Sequence, residues 1–83
     1  MPICMHTVYI IYSEASNVYY KGYSTQVNLR LEEHNNDNSR YTKNKGPWKL
    51  VYAKHFENKK DALIEEKRIK RLNRLTIEKL IAG

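Results

Sequence analysis

The stretch Thr7-Val8-Tyr9-Ile10-Ile11-Tyr12 is an uncharged run of β-branched and aromatic residues, a composition that fits a pleated, packed strand far better than a helix. It is followed by the polar segment Ser13-Glu14-Ala15-Ser16-Asn17 and then by Val18-Tyr19-Tyr20-Lys21-Gly22. Two strand-like runs around a polar turn predict a β-hairpin. From Gln26 to about Asn35 the period changes. Val27 and Leu31 lie four apart with Glu32 and Glu33 on the other side, which predicts a short amphipathic helix packed on the hairpin.

Residues 36–47 are rich in turn formers and basic groups, which predicts an exposed loop closing at Gly46-Pro47. Beyond it, Trp48, Leu50 and Tyr52 alternate with polar positions, with Val51 opposite, so a third strand is expected from Trp48 to Phe56. Asn58 can cap a long helix through Asp61 to about Leu72, because a short polar side chain there satisfies free first-turn amides. A last short helix is expected over Leu75 to Ala82, with Ile77, Leu80 and Ile81 facing inward. The expected fold is α+β, in the order β-β-α-β-α-α: a small three-stranded antiparallel sheet flanked by helices, within one domain spanning residues 1–83.

Eighty-three residues leave little room for a second independent core. The hydrophobic fraction of 41% excludes a disordered tail. The net charge of +6 is unevenly placed: residues 1–41 carry −1 and residues 42–83 carry +7. Such a half attracts polyanions, with nucleic acid the commonest and an anionic membrane surface the next. The lone Cys4 has no disulfide or zinc partner, no apolar run approaches a membrane span, and the N-terminus lacks a secretory pattern. A cytoplasmic location is expected.

Three elements could carry chemistry. On a helical wheel Ala62, Leu63, Glu66, Ile69 and Asn73 share a face, which sets a carboxylate among apolar neighbours. Such a group pairs with a cation, coordinates a metal, or sits on a helix rotated to expose it. One carboxylate with waters and phosphate oxygens is an ordinary ligand set for magnesium. Arg30 and His34, four apart, project together from the first helix; a guanidinium holds phosphate oxygens and an imidazole moves protons near neutral pH. Tyr9 and Tyr20 lie on consecutive strands, where a hairpin brings their hydroxyls together. A tyrosine base needs positive charge nearby, from Arg30, Lys21 or a bound metal.

Val8-Tyr9-Ile10, Tyr20-Lys21-Gly22, Arg30, His34 and Glu66 together resemble the GIY-YIG nuclease superfamily, which includes the nuclease domain of the excinuclease C subunit and phage intron-homing endonucleases. The resemblance extends over Tyr41-Thr42, Pro47 to Tyr52 and Ala62 to Lys70, so it covers about residues 7–75. It is nearest to the small stand-alone bacterial proteins of that superfamily. Thr7-Val8 stands where the name has Gly-Ile, and Lys21 replaces an apolar residue.

The resemblance implies a metal-dependent endonuclease with a role in DNA repair, using Mg²⁺ or Mn²⁺ on nucleic acid, with DNA the expected substrate. It implies that Glu66 binds the metal, Arg30 stabilises phosphate charge, Tyr9 or Tyr20 orients or deprotonates water, and His34 assists in proton transfer or holds the phosphate. Gly22 would let the backbone turn closely beside the site. Lys21, Lys43, Lys45, Lys67, Lys70, Arg71 and Arg74, with Lys59, are the expected nucleic-acid contacts. The alternative is a nucleic-acid-binding module of the same fold that has lost efficient catalysis.

Overall fold

In the computed structural model, which describes residues 5–35 and 46–82, the chain runs β1 (His6–Ser13), β2 (Val18–Ser24), α1 (Val27–Asn35), β3 (Lys49–Phe56), α2 (Lys59–Lys70) and α3 (Arg74–Ala82). The strands form one antiparallel sheet in the order β2-β1-β3. This is the expected α+β architecture in the expected order. Cys4, Tyr41-Thr42, Lys43 and Lys45 lie outside the described residues.

β1 is the central strand, and its alternate side chains enter two different cores. Val8 and Ile10 pack with Ala62 of α2, Ile69 of α2 and Ile77 of α3. Tyr9 and Ile11 pack with Trp48 on the opposite face, beneath Val27 and Leu31 of α1. A strand buried on both faces must be apolar at every position, which is why residues 8 to 11 show no polar alternation. Each fully buried aliphatic side chain of this kind stabilises the fold by about 1.5–3 kcal/mol.

The helices begin and end for local reasons. At the start of α2 the Asn58 side chain accepts from the Asp61 amide at 2.9 Å, satisfying one of the amides that a helix start leaves unpaired. The Asn73 side chain accepts from the Thr76 amide at 2.9 Å and starts α3 in the same way. Asn73 therefore does not extend the buried face of α2, which ends at Lys70 rather than Leu72. At the end of α1, the Asn35 amide donates to the Trp48 carbonyl at 3.1 Å and its oxygen accepts from the Trp48 amide, fixing where β3 enters the sheet.

One expectation about β3 is overturned. Ile10 faces Tyr52 while Ile11 faces Leu50, so Val51 is an extra residue at a bulge. The alternation therefore slips. Val51 and Tyr52 both pack against the core beneath α2 and α3, whereas Leu50 remains 38% exposed. Val51 does not lie opposite Tyr52, as simple alternation would have it. Among the described residues, no helix is long and apolar enough to cross a membrane.

Candidate active site

The α1 face of the sheet carries a polar group at its centre. Tyr9 is 1% exposed, and its hydroxyl lies 3.1 Å from Nε2 of His34, which is fully buried. Arg30, one helical turn before His34, sets its guanidinium near enough to the Tyr9 phenol to favour negative charge there. Its guanidinium is anchored in turn by Glu33 at 3.0 Å. Arginine can only donate, so Arg30 makes no claim on the phenol hydrogen, and that O–H is available to donate to Nε2. When it does so, His34 is neutral and carries its proton on Nδ1.

The titration behaviour follows from burial. Desolvation pushes the Tyr9 phenol above its ordinary value, and the Arg30 guanidinium offsets only part of the rise. Burial, then the Arg30 charge, hold the His34 imidazole below its ordinary 6.5. Tyr9 is consequently a phenol and His34 a neutral imidazole near neutral pH. Positive charge nearby does not make Tyr9 a ready base.

Tyr9 needs room on β2, and Gly22 provides it. The two residues are partners across the β1–β2 ladder. A Cβ at Gly22 would stand 2.6 Å from the Tyr9 hydroxyl oxygen and 2.7 Å from Cζ, so the ring crosses directly over the glycine. No turn is made at this position; Gly22 serves by lacking a side chain, not by bending the chain. Tyr20 completes the cluster, its ring centroid 4.8 Å from that of His34 and 6.5 Å from that of Tyr9. Unlike Tyr9 it stays partly exposed.

Glu66 approaches from α2. Its side chain is 17% exposed and its carboxylate lies 3.4 Å from Nζ of Lys70, one turn on. It is near enough for its charge to raise the Tyr9 phenol further. The neighbouring Glu65 is committed elsewhere, to Arg68 at 2.6 Å and Lys54 at 3.7 Å, and those cations hold its carboxyl below the usual range. Among the described residues no group of three potential ligands gathers around a point. Glu66 is thus a single-carboxylate donor set, which suits an ion that keeps most of its waters and not one that needs a protein cage.

Among the described residues, Lys21 and Arg74 lie away from this cluster. Lys21 lines a small depression with Tyr19, Arg74 and Ile77, on the α3 face of the sheet and not the Tyr9 face. Arg74 donates to the Asn17 carbonyl at 2.9 Å and to its side chain, lies 5.3 Å above the Tyr19 ring, and faces Glu78 at 3.9 Å. Asn17 has φ of 56°, so Arg74 pins a left-handed residue of the hairpin turn. Lys70 is engaged by Glu66. Lys67 lies beside Lys59, Lys60, Leu63 and Ile64 on the outer side of α2, and Arg71 is the C-cap of that helix.

Three contributors had escaped sequence reasoning: Glu33, Asn35 and Asn17. The spacing of Arg30 and Glu33, three apart on a helix, was the available signal for the first. The other two act across gaps of 13 and 57 residues, for which local pattern offers no signal.

Comparison with known proteins agrees with the geometry. The family model described as the GIY-YIG catalytic domain matches residues 5–79. A UPF0213 protein of Halobacterium salinarum is 42% identical over 78 residues, 92% of this chain and 99% of the relative. A UPF0213 protein of Oceanobacillus iheyensis is 39% identical over 77 residues, covering 92% of this chain and 88% of the relative. The solution NMR structure of a UPF0213 protein from Bacillus halodurans superposes with a TM-score of 0.61 at 33% identity, covering 94% of this chain and 83% of that one. The names of these relatives state no activity.

Proposed function

This chain belongs to the GIY-YIG family, a nuclease family, and from that membership we propose that it is a metal-dependent endonuclease that hydrolyses phosphodiester bonds, with DNA as substrate. The observation that carries the proposal is the Tyr9 hydroxyl bonded to His34, with the Arg30 guanidinium and the Glu66 carboxylate in electrostatic reach.

The roles follow from exposure and bonding. Arg30, anchored by Glu33, offers its remaining N–H groups to phosphate oxygens and stabilises the charge that grows there in the transition state. Tyr9, buried and bonded to His34, is a positioning residue. Tyr20, partly exposed and packed on His34, is the phenol that orients the attacking water. His34 holds Tyr9 and Tyr20 in place and does not reach the phosphate. Glu66 is the group that would hold Mg²⁺ or Mn²⁺, exchanging Lys70 for the ion. When bound, such an ion would polarise the phosphate and stabilise the leaving oxygen.

The test is incubation of labelled single-stranded, duplex and branched DNA, and of RNA, with Mg²⁺ or Mn²⁺, against EDTA, Glu66→Gln and Arg30→Ala. Cleavage that needs metal and falls about 10²–10³-fold in either variant supports the reading. Tyr20→Phe should then reduce the rate of the bound complex more than Tyr9→Phe. The Lys70 ammonium already resting on Glu66 favours a second reading, a nucleic-acid-binding module with little turnover. Salt-sensitive binding without cleavage under any metal condition would select it.

A further inference from the structure

Beside the Tyr9 cluster, on the same face of the sheet, a groove of about 600 Å³ runs between the start of α1 and β3. Its apolar walls include Met5, Val27, Leu29, Leu50 and Ala53. Three of them, Met5 at 38%, Leu29 at 49% and Leu50 at 38% exposure, are large hydrophobic side chains left open among the described residues. Polar groups stand at particular points along this wall. Gln26 and Asn28 supply amides at one rim, and the floor holds Thr7 Oγ1 bonded to His55 Nδ1 at 2.7 Å. Apolar walls with a few placed amide, hydroxyl and imidazole groups suit a flat heterocycle with a polar edge.

Position identifies the occupant. Ala53 lines the groove and is the ladder partner of Tyr9, and Thr7 is two residues from Tyr9 on the same face of β1. The groove therefore begins one rung, about 5 Å, from Tyr9. A strand whose phosphate rests at Arg30 has bases within roughly three stacked nucleotides of the groove, at about 3.4 Å each. A base inside a duplex is stacked and paired and cannot enter.

We propose that this groove receives one unpaired nucleobase of the substrate strand, so that the protein acts on single-stranded, gapped or branched nucleic acid in preference to continuous duplex. This rests on the endonuclease reading for the location of the scissile phosphate. The groove itself makes a claim that binding alone can test.

The experiment uses the full chain and oligonucleotides carrying a single 2-aminopurine, moved one position at a time, in EDTA so that nothing turns over. Single-stranded and gapped probes should brighten at one or two adjacent positions as the base leaves its neighbours. Leu29→Gln with Leu50→Gln should abolish that signal and weaken single-strand affinity about tenfold, the low end of a base contact, with duplex affinity unchanged. Circular dichroism would check that the doubly substituted chain is folded. Leu50→Met, which keeps an apolar wall, should retain the signal.

A parallel cleavage series with Mg²⁺ uses an abasic residue moved along the same strand. If the fluorescence maps to one position but nothing is cleaved, the groove stands and the endonuclease reading falls. If cleavage proceeds and neither abasic position nor groove substitution matters, the groove proposal is overturned. Concentration-dependent dimerisation that disappears in the Leu29/Leu50 variant would also overturn it, because a second copy of the chain would then cover the groove.

Discussion

The two faces of the sheet are built from the same strand and do different work. The even-numbered residues Val8 and Ile10 of β1 meet the aliphatic side chains Ala62, Ile69 and Ile77 of α2 and α3, ringed by Tyr19, Tyr23, Tyr52 and Phe56. The odd-numbered ones, Tyr9 and Ile11, meet Trp48 and a short helix that brings an imidazole against a buried phenol and a guanidinium near it. The first face depends on volume, which is non-directional and tolerant of repacking. The second depends on hydrogen bonds whose donors and acceptors must match one by one. Stability and chemistry should accordingly separate by residue parity along β1.

The sharpest break is Ile69→Ala, which hollows the α2 face beneath Val8 and Ile10 and should cost about 2–5 kcal/mol. Urea denaturation would show the loss. Nucleic-acid cleavage or binding per folded molecule should fall less than stability, because Tyr9 and His34 lie on the other face of the sheet. Gly22→Ala comes next, at about 1–3 kcal/mol, since the new methyl must displace the Tyr9 ring from 2.6 Å. Here activity should fall more than stability, the reverse of Ile69→Ala. If the two substitutions gave the same ratio of activity loss to stability loss, the division of labour between the faces would be refuted.

Tyr9→Phe is a finer probe at about 1–2 kcal/mol. It keeps the ring in the core and removes the hydroxyl, so His34 Nε2 loses its partner and the Arg30 guanidinium keeps only Glu33. A chemical-shift change at the His34 ring with little change elsewhere is expected by NMR, together with a weaker grip on the Arg30 side chain. A spectrum disturbed throughout the α2 face instead would mean the two cores are mechanically coupled.

What the sequence revealed divides along similar lines. The hairpin was legible because β-branched and aromatic residues crowd both strands around a polar turn, and α2 because Asn58 advertises its cap. Tyr9, Tyr20, Gly22, Arg30 and His34 could be grouped in advance through family likeness. Their burial could not: α1 has only Val27 and Leu31 as an apolar stripe, and nothing local says that His34 will be the residue it buries completely. The bulge at Val51 was equally hidden, since no glycine or proline marks it. Arg74 looked like a surface cation because its partner, Asn17, lies 57 residues away.

The smallest effect is a slope with pH, and it isolates the polar face most cleanly. The folded state holds His34 below its ordinary 6.5, so unfolded chains bind more protons than folded ones as the pH falls through that region. Stability then decreases as pH drops from above 6.5 toward the folded value, and it is fully present only above the unfolded one. Glu65, held down by Arg68 and Lys54, adds a loss of the same sign at lower pH, below its ordinary 4.5. The two windows are separable because only the first should vanish in His34→Gln, and only the second in Glu65→Gln. Thermal midpoints recorded between about pH 2.5 and 8 would resolve them. A His34→Gln chain that kept the parental slope near pH 6.5 would show that the imidazole is not buried neutral, and with it the donation from Tyr9 to Nε2 would fail.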